Sequence, residues 1–261
     1  MPTANRLARF AIACMVVAPA AAHAASDEIQ VYAGDLNKPG ERGLEVHVNY
    51  VPIGRKNADY PGERPPYRVL RFTPEISAGF APGWDAGIYL PMALSGITHS
   101  SFFDGPKLRL KHLRFAETQA GQLFYGANLE IAYSSLRVSA ARWAAELRFI
   151  AGIDTEEWLF VVNPIFTRPL ATPVDADRRA TEFNLSFKAA RKLGEGVALG
   201  IEHYAEAGEL RHIRFDRTSG ETTYLVLDLE TKGMDVNVGI GRGWTQSSDK
   251  LVFKMIVGFP F

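Results

Sequence analysis

The sequence predicts an all-β protein: a single antiparallel up-and-down β-barrel of about twelve strands that crosses a membrane. Three observations predict it. Segments of about ten residues alternate apolar and polar side chains from residue 43 to the end, their connections alternate between long and short, and all four tryptophans fall at segment ends. Transmembrane barrels have long loops on one side, short turns on the other, and aromatic girdles at both interfaces.

The first 24 residues have the features of a secretory signal peptide. Arg6 and Arg9 precede an apolar run over 10–22, and the tripeptide AHA at 22–24 is a small-x-small cleavage site. The apolar run is too short to cross a bilayer as a helix. We therefore expect residues 1–24 to be removed.

The remaining residues, 25–261, are expected to form the barrel. Cys14 is the only cysteine, so the mature chain would fold without disulfides. Lipidation of Cys14 is an alternative that its position inside the apolar run disfavours. Without Arg6 and Arg9 the basic residues fall from 29 to 27 against 29 acidic ones, so no basic face for nucleic acid is expected.

Twelve segments fit strands because apolar residues recur at every second position between Gly, Pro, Asp, Asn and Ser. In the first, Leu44 and Val46 alternate with Glu45 and His47. The predicted strands are 43–51, 69–80, 84–92, 106–113, 122–133, 142–153, 158–166, 181–190, 197–205, 222–229, 234–242 and 251–261.

Two features complicate this assignment. The segment 142–153 also fits a helix, but its position between a long loop and a short turn favours a strand. Pro74, Pro91 and Pro164 lie inside or at the end of predicted strands, and proline cannot donate to a strand ladder. We therefore expect bulges or shortened strands at these three positions.

The placement of charge decides which face of each strand meets lipid. Leu108 and Leu110 alternate with three cations, and the opposite phase would put those cations into hydrocarbon at a cost of ~2–4 kcal/mol each near the midplane. The cations are therefore assigned to the lumen. The predicted basic wall is Lys107, Arg109 and Lys111, and the predicted acidic wall on the opposite side is Glu202, Glu206, Asp228 and Asp235. Together they would create a transverse field.

The four tryptophans indicate the two membrane interfaces. Trp84 and Trp158 each follow a short turn, whereas Trp143 and Trp244 lie beside long loops. Amphipathic rings settle at the headgroup level, so this placement predicts two aromatic girdles. The alternative, tryptophans in the core of a soluble sandwich, does not predict it.

The chain ends on an alternating apolar run, "LVFKMIVGFPF", whose apolar face is Phe253, Met255, Val257, Phe259 and Phe261. This ending resembles the C-terminal assembly signal of Gram-negative outer-membrane β-barrels. The resemblance implies a place in the bacterial outer membrane, contact with its lipid and lipopolysaccharide, and recognition by the barrel assembly machinery.

Three further stretches, "DEIQVYAGDLNKPGERGLEVHVNY", "GPKLRL" and "YLVLDL", are similar to uncharacterised proteobacterial outer-membrane proteins. More distantly they resemble the channel-like barrels that are grouped with aromatic-compound degradation pathways. These similarities imply no particular substrate. The expected function is a channel for small polar or aromatic solutes, and the alternatives are a structural or plugged barrel without conductance and an outer-membrane lipid hydrolase.

The sequence does not favour the hydrolase. Such an enzyme needs a serine, a histidine and an orienting polar group close together. His99 is adjacent to Ser100 in a loop, His47 lies beside Glu45 in the lumen, and His203 points outward with no serine at obvious reach. We find neither a hydrolase pattern nor a metal-ligand motif, so no catalytic residue, metal or cofactor is predicted. Loop residues Arg211, Arg214 and Arg217 are candidate contacts for lipopolysaccharide phosphates.

Overall fold

The computed structural model describes residues 28–175, 179–216, 219–231 and 233–260. Within these ranges no helix is long and apolar enough to cross a membrane. The predicted signal peptide lies outside the described residues. The strands are β1 Arg42–Ile53, β2 Val69–Ala81, β3 Trp84–Tyr89, β4 Met92–Ser95, β5 Ser101–Phe103, β6 Lys107–Thr118, β7 Gly121–Tyr133, β8 Trp143–Asp154, β9 Trp158–Pro169, β10 Glu182–Gly194, β11 Val197–Glu209, β12 Gly220–Thr231, β13 Met234–Gly243 and β14 Leu251–Pro260.

Twelve of these strands close into a barrel. Each pairs antiparallel with its neighbours in the chain, and β1 pairs with both β2 and β14. The short strands β4 and β5 form a hairpin that extends the wall beyond β3 on the long-loop side. The predicted all-β barrel of about twelve strands is therefore confirmed, and the segment that also fitted a helix is strand β8.

The prolines interrupt the ladders without shifting the register. The predicted strand 84–92 is divided into β3 and β4 at Leu90 and Pro91. Pro91, and Pro74 on the neighbouring strand, have no N–H to donate, so the wall loses ladder bonds there. The β8–β9 ladder skips the pairs around Pro164 and resumes in the same register. The β1–β2 ladder runs through Pro74 without a bulge, so the bulge expected there is absent.

The barrel is polar inside and apolar outside, the reverse of a soluble protein. Large apolar side chains are exposed on the outer face of the strands, among them Phe72, Ile76, Leu108, Phe149 and Leu225. Burying them in hydrocarbon is favourable, whereas the inner face holds charged and amide groups that pair with one another. The buried polar residues include His47, Asn49, Glu75, Asp85, Arg109, Lys111, Asn128, Glu130, Asn163, Lys188, Glu202 and Lys254.

The two sides of the barrel differ in the length of their connections. The β2–β3, β6–β7, β8–β9, β10–β11 and β12–β13 turns have two or three residues, and the loops on the other side are longer. Residues 42 and 260 both lie on the short-turn side. In outer-membrane barrels the short turns face the periplasm, so we call this side periplasmic and the other extracellular.

The tryptophans lie where each wall leaves the membrane. Trp84 and Trp158 begin β3 and β9 beside periplasmic turns, and Trp143 and Trp244 lie beside extracellular loops. All four are exposed on the outer surface. Trp84 stacks on His112 with ring centroids 4.3 Å apart. This is the placement that an interfacial girdle requires.

The carboxyl-terminal strand β14 closes the barrel against β1. Phe253, Met255 and Phe259 are exposed on its outer face, and Val257 is half-buried. The last residue of the predicted assembly signal, Phe261, lies outside the described residues. Its role as a signal therefore stays a prediction.

Deletion of Phe261 is expected to lower the amount of assembled barrel in the outer membrane, because the ending would lose the aromatic residue of the signal that it resembles. Unfolded chain should accumulate in the periplasm. Assembly is measured as the heat-modifiable fraction on a gel of isolated membranes. Ser186→Ala, a small change on the lumen face of β10, is the control, and equal membrane levels of the deletion and the control would contradict the prediction.

Candidate functional site

The predicted basic wall lies on β6 and is neutralised by ion pairs. Lys107 Nζ is 3.2 Å from a carboxylate oxygen of Glu28 and 3.5 Å from one of Glu130. Arg109 pairs with Glu75 and Asp85, and Lys111 Nζ lies 3.8 Å from Asp85. Each cation of this wall therefore faces at least one carboxylate from a neighbouring strand or from the chain that precedes β1.

The predicted acidic wall lies on β11 to β13, on the opposite side of the ring of strands. Glu202 pairs with Lys254 and lies 3.4 Å from Lys188, which is also 2.8 Å from Asp228. Glu206 lines a cavity described below, and Asp235 is exposed near the periplasmic end of β13. Ion pairs neutralise much of each wall. The transverse field across the lumen therefore stays a prediction, and we expect it to be weaker than the unpaired charges alone would make it.

The chain that precedes β1 runs inside the barrel. We call residues 28–37 the lumen segment. The side-chain amide of Asn163 on β9 bonds both to the backbone N–H of Tyr32, at 2.7 Å, and to its carbonyl, at 2.9 Å. These two bonds reproduce the pairing of one strand with another, so one inward-facing asparagine fixes the middle of the segment.

The hydroxyl of Tyr32 continues these contacts to another part of the wall. It lies 2.6 Å from the hydroxyl of Tyr89 on β3 and donates to Glu130 on β7 at 3.0 Å. Asn128 donates to the same Glu130 oxygen at 2.9 Å. The tyrosine is buried, and these partners satisfy the polar end of its ring.

Two cations hold the backbone of the lumen segment further toward the extracellular side. Arg148 on β8 donates to the carbonyl of Gln30 at 2.9 Å, and Lys254 on β14 donates to that of Ile29 at 3.0 Å. With the ion pair of Glu28 and Lys107, the described polar contacts of residues 28–32 come from β3, β6, β7, β8, β9 and β14. Because these strands surround the lumen, the segment crosses its centre.

Apolar packing fills the lumen beside the segment. Val31 and Tyr32 form a buried cluster with four inward-facing residues of β6 to β9: Leu113, Phe124, Ile150 and Val161. A second cluster joins Ile29 to Val51, Tyr224, Val226 and Val252. The lumen is therefore not uniformly polar. The first cluster replaces water along the periplasmic half of β6 to β9, and the second does so toward the extracellular ends of β1, β12 and β14.

The lumen segment enters the barrel beside Gly79 of β2. Asn37 donates to Ser77 at 2.8 Å, and Pro39 forms a bridge with Gly79. A Cβ at position 79 would lie 2.2 Å from the carbonyl oxygen of Lys38. Only glycine permits this close approach, which anchors the segment at the periplasmic mouth.

A cavity of about 310 Å³ lies on the extracellular side of the lumen segment, and Glu28, Ile29 and Gln30 contribute to its lining. It reaches the extracellular loops at Arg55 and Asp249. Burial raises the pKa of Asp249, although the backbone N–H of Arg55, 3.0 Å away, and nearby guanidinium charges act in the opposite direction. Asp249 therefore takes up a proton at a higher pH than an exposed aspartate.

The candidates for hydrolysis do not form a triad in the described residues. His203 faces outward on β11, and its Nδ1 lies 2.9 Å from the hydroxyl of Thr223 on β12. The imidazole also stacks on the Phe187 ring, and the Glu221 carboxylate acts on it electrostatically. Among the described residues no hydrogen bond joins Glu221 to His203, so the geometry of a triad is not formed there. His99 lies in an extracellular connection. Arg211 and Arg214 are exposed in a loop, and Arg217 lies outside the described residues.

One group of potential metal ligands comes together on the lumen wall. Ligand atoms of Glu45, His47 and Glu75 all lie within 4.8 Å of one another. The sequence analysis placed Glu45 and His47 side by side but found no metal-ligand motif. Glu75 comes from the next strand, and only the β1–β2 register brings it opposite Glu45.

The sequence analysis also missed the lumen segment. The available signal was a short alternation, Ile29 and Val31 with Gln30 between them, before the first predicted strand. A second signal was the presence of large apolar residues on the same face of a strand as charged residues, such as Phe124 with Glu130 and Ile150 with Arg148. Neither pattern shows which residues the lumen segment contacts, because the partners are distant in the chain: Tyr32 and Asn163 are 131 positions apart.

No model of a known protein family and no curated protein matches the chain. Solved structures do match in fold. An outer-membrane channel of the COG4313 group from Pseudomonas putida F1 has a TM-score of 0.59 and 11% identity over 89% of this chain and 100% of that one.

Two porins are similar to the chain in the same way. The NanC porin has a TM-score of 0.55 and 11% identity over 83% of this chain and 98% of that one. The KdgM porin in complex with disordered oligogalacturonate has a TM-score of 0.52 and 12% identity over 84% and 99%. At these identities the similarity concerns the fold alone, and the chain has the fold of an outer-membrane β-barrel.

Proposed function

We propose that the protein is an outer-membrane channel for small polar or aromatic solutes, and that the lumen segment closes it at rest. The main support is the cavity above the segment. Its lining includes residues of the extracellular loops, and part of it is made by residues 28–30. The described contacts of this segment with the barrel are hydrogen bonds, ion pairs and apolar packing. Such contacts break and re-form, so the closure is reversible.

The lining of the cavity supports the solute class. One part is apolar, with Val51, Ile165, Tyr204 and Val252, and the other is polar or charged. Cavities that bind small molecules combine an apolar wall with a few polar groups and have volumes of about 300–1,000 Å³. A cavity of about 310 Å³ admits a solute of one ring with polar substituents. The polar and charged part of the lining includes Glu28, Arg55, Arg71, Asp104, Lys107 and Arg148.

The exterior supports a place in a bacterial outer membrane. The apolar outer face and the tryptophans at both rims suit a bilayer, and the similar solved structures are outer-membrane proteins. Arg211 and Arg214 are exposed on the extracellular side, where they would contact lipopolysaccharide phosphates. We include these lipid contacts, and delivery by the barrel assembly machinery, in the proposal.

The proposal treats the protein as a channel and not as an enzyme. The nearest approach to a catalytic pair is His203 with the hydroxyl of Thr223, 2.9 Å apart on the lipid-facing surface. A hydroxyl nucleophile of this kind needs a base that is itself oriented by a third group. Among the described residues the Glu221 carboxylate acts on His203 only electrostatically, without the hydrogen bond that would orient the imidazole.

Conductance of the purified protein in planar bilayers tests the proposal, with a lipid-hydrolysis assay on the same sample. We expect small conductance steps and no hydrolysis, because the lumen segment leaves little open space. Lipid hydrolysis that is abolished by Thr223→Val would overturn the proposal in favour of an enzyme. The absence of both activities, in a sample shown to be folded by heat-modifiable migration, would favour a structural barrel.

A further inference from the structure

We propose that Glu45, His47 and Glu75 form a binding site for one divalent transition-metal ion of the Zn²⁺ type on the lumen wall. This inference depends on the fold of β1 and β2 and not on the proposed channel function. The three side chains offer one imidazole nitrogen and two carboxylate oxygens. Imidazole nitrogen and carboxylate oxygen are both ordinary ligands of Zn²⁺, and three protein ligands leave a fourth position open for water.

The distances between the ligand atoms fit a shared ion. His47 Nε2 lies 3.6 Å from Oε2 of Glu45 and 3.6 Å from Oε2 of Glu75. Neighbouring ligands of a tetrahedral Zn²⁺, with bonds of about 2.0–2.1 Å, lie about 3.3–3.4 Å apart. Movements of a few tenths of an ångström would bring each of these oxygens to that distance from Nε2, and the oxygens of the two glutamates lie within 4.8 Å of each other. At 3.6 Å the nitrogen is too far from either oxygen for a good hydrogen bond.

The buried imidazole of His47 is not fully satisfied by its neighbours. Its side chain is 0% exposed, and neither ring nitrogen has a hydrogen bond of ordinary length among the described residues, because the nearest carboxylate oxygens to Nε2 are 3.6 Å away. A buried polar group without a hydrogen bond destabilises a protein, and the two carboxylates at 3.6 Å satisfy the imidazole only in part. A metal ion bound at Nε2 would satisfy one of these nitrogens directly.

The two glutamates also favour a cation between them. Glu45 and Glu75 are directly opposite each other in the β1–β2 ladder, and like charges in that position destabilise a sheet. A divalent ion neutralises both carboxylates at once. Arg109 already binds Glu75, but through Oε1, which leaves Oε2 free to face His47.

Arg109 would support the site from behind. It pairs with Asp85 as well as Glu75, so the guanidinium group is held on both sides and orients the Glu75 carboxylate. Metal ligands are commonly held in this way by a second layer of charged or hydrogen-bonded groups. The imidazole selects for Zn²⁺ or Co²⁺ over Mg²⁺ and Ca²⁺, which prefer oxygen ligands alone.

An ion would reach the site from the periplasmic side of the lumen. The Glu45 side chain is 34% exposed, unlike those of His47 and Glu75. It lies opposite Gly258 of β14, where the absence of a side chain leaves space in the lumen. Ligand exchange would therefore begin at Glu45.

Titration of the purified barrel in detergent with Co²⁺ tests the proposal, because tetrahedral Co²⁺ has a visible absorption band and Zn²⁺ should displace it. We expect one Co²⁺ per chain. His47→Gln and Glu45→Gln should each weaken binding more than about tenfold, which is the least effect usually seen even for residues behind the ligands. His212→Gln, which removes an exposed loop histidine, and Asp235→Asn, which neutralises an acid beside Gly258, are the matched controls and should bind as the wild type does.

Wild-type protein that binds no Co²⁺, or His47→Gln protein that binds it unchanged, would overturn the proposal. In that case the three residues form only an ion pair. Heat-modifiable migration reports whether each variant is folded. If His47→Gln does not assemble, Glu45→Gln still decides the question, because Glu45 is partly exposed and its replacement leaves the buried imidazole in place.

Discussion

The variant Asn163→Ala is expected to open the channel much more often than the wild type. Asn163 makes both hydrogen bonds to the backbone of Tyr32, and alanine removes both. At about 1 kcal/mol for each bond, the loss is about 2 kcal/mol. That shifts the equilibrium between bound and released lumen segment by up to about thirtyfold toward release. Single-channel recordings measure it as the fraction of time in the large-conductance state.

Asn184→Ala is the matched control for this prediction. Asn184 is also an inward-facing asparagine that lines the cavity, but its described contacts do not include the lumen segment. This variant should spend the same fraction of time in the large-conductance state as the wild type. A variant that lacks residues 28–37 serves as the reference for a permanently open channel. Its conductance should be high and steady. If that chain conducts no better than the wild type, the lumen segment does not close the channel.

The variant Glu202→Gln is expected to lower the free energy of unfolding by about 3–5 kcal/mol, because it leaves a buried lysine without its carboxylate. Glu202 and Lys254 are 2% and 0% exposed. Tyr204 also donates to Glu202, at 2.6 Å. Lys188 retains its ion pair with Asp228, which is 2.8 Å away, when Glu202 is neutralised. Urea unfolding in lipid vesicles, followed by tryptophan fluorescence, measures the loss.

Glu117→Gln is the control, because Glu117 is an exposed acid at the periplasmic end of β6, and it should change stability by less than about 0.5 kcal/mol. The double variant Glu202→Gln with Lys254→Met removes both charges and should recover part of the lost stability, since an apolar pair tolerates burial better than a lone cation. Equal unfolding midpoints for Glu202→Gln and Glu117→Gln would contradict the importance of this ion pair.

The two predictions are linked through the lumen segment. Lys254 binds both Glu202 and the carbonyl of Ile29, so the ion-pair network of the acidic wall also helps to hold the lumen segment. Neutralising Glu202 should therefore loosen the segment as well as the wall. The predicted walls of charge are in this sense part of the closure, and they are not only a lining for solutes.

The alternation of side chains within each strand was enough to predict the barrel. In β6, Leu108 and Leu110 face outward and Lys107, Arg109 and Lys111 inward, because the side-chain period of a strand is two and only one phase avoids cations in hydrocarbon. The alternation of long and short connections predicted which end of each strand lies on which side of the membrane. This information is local, so it can be read from neighbouring residues.

The contents of the lumen depend on tertiary structure. Closure of the barrel brings Asn163 to Tyr32 across 131 positions of the chain, and the β1–β2 register brings Glu75 opposite Glu45 beside His47. Alternation shows that these side chains face inward but not which strand faces them across the ring. Pairing inside a closed barrel is set by strand number, register and the path of the chain through it, so only the folded structure decides which inward groups meet.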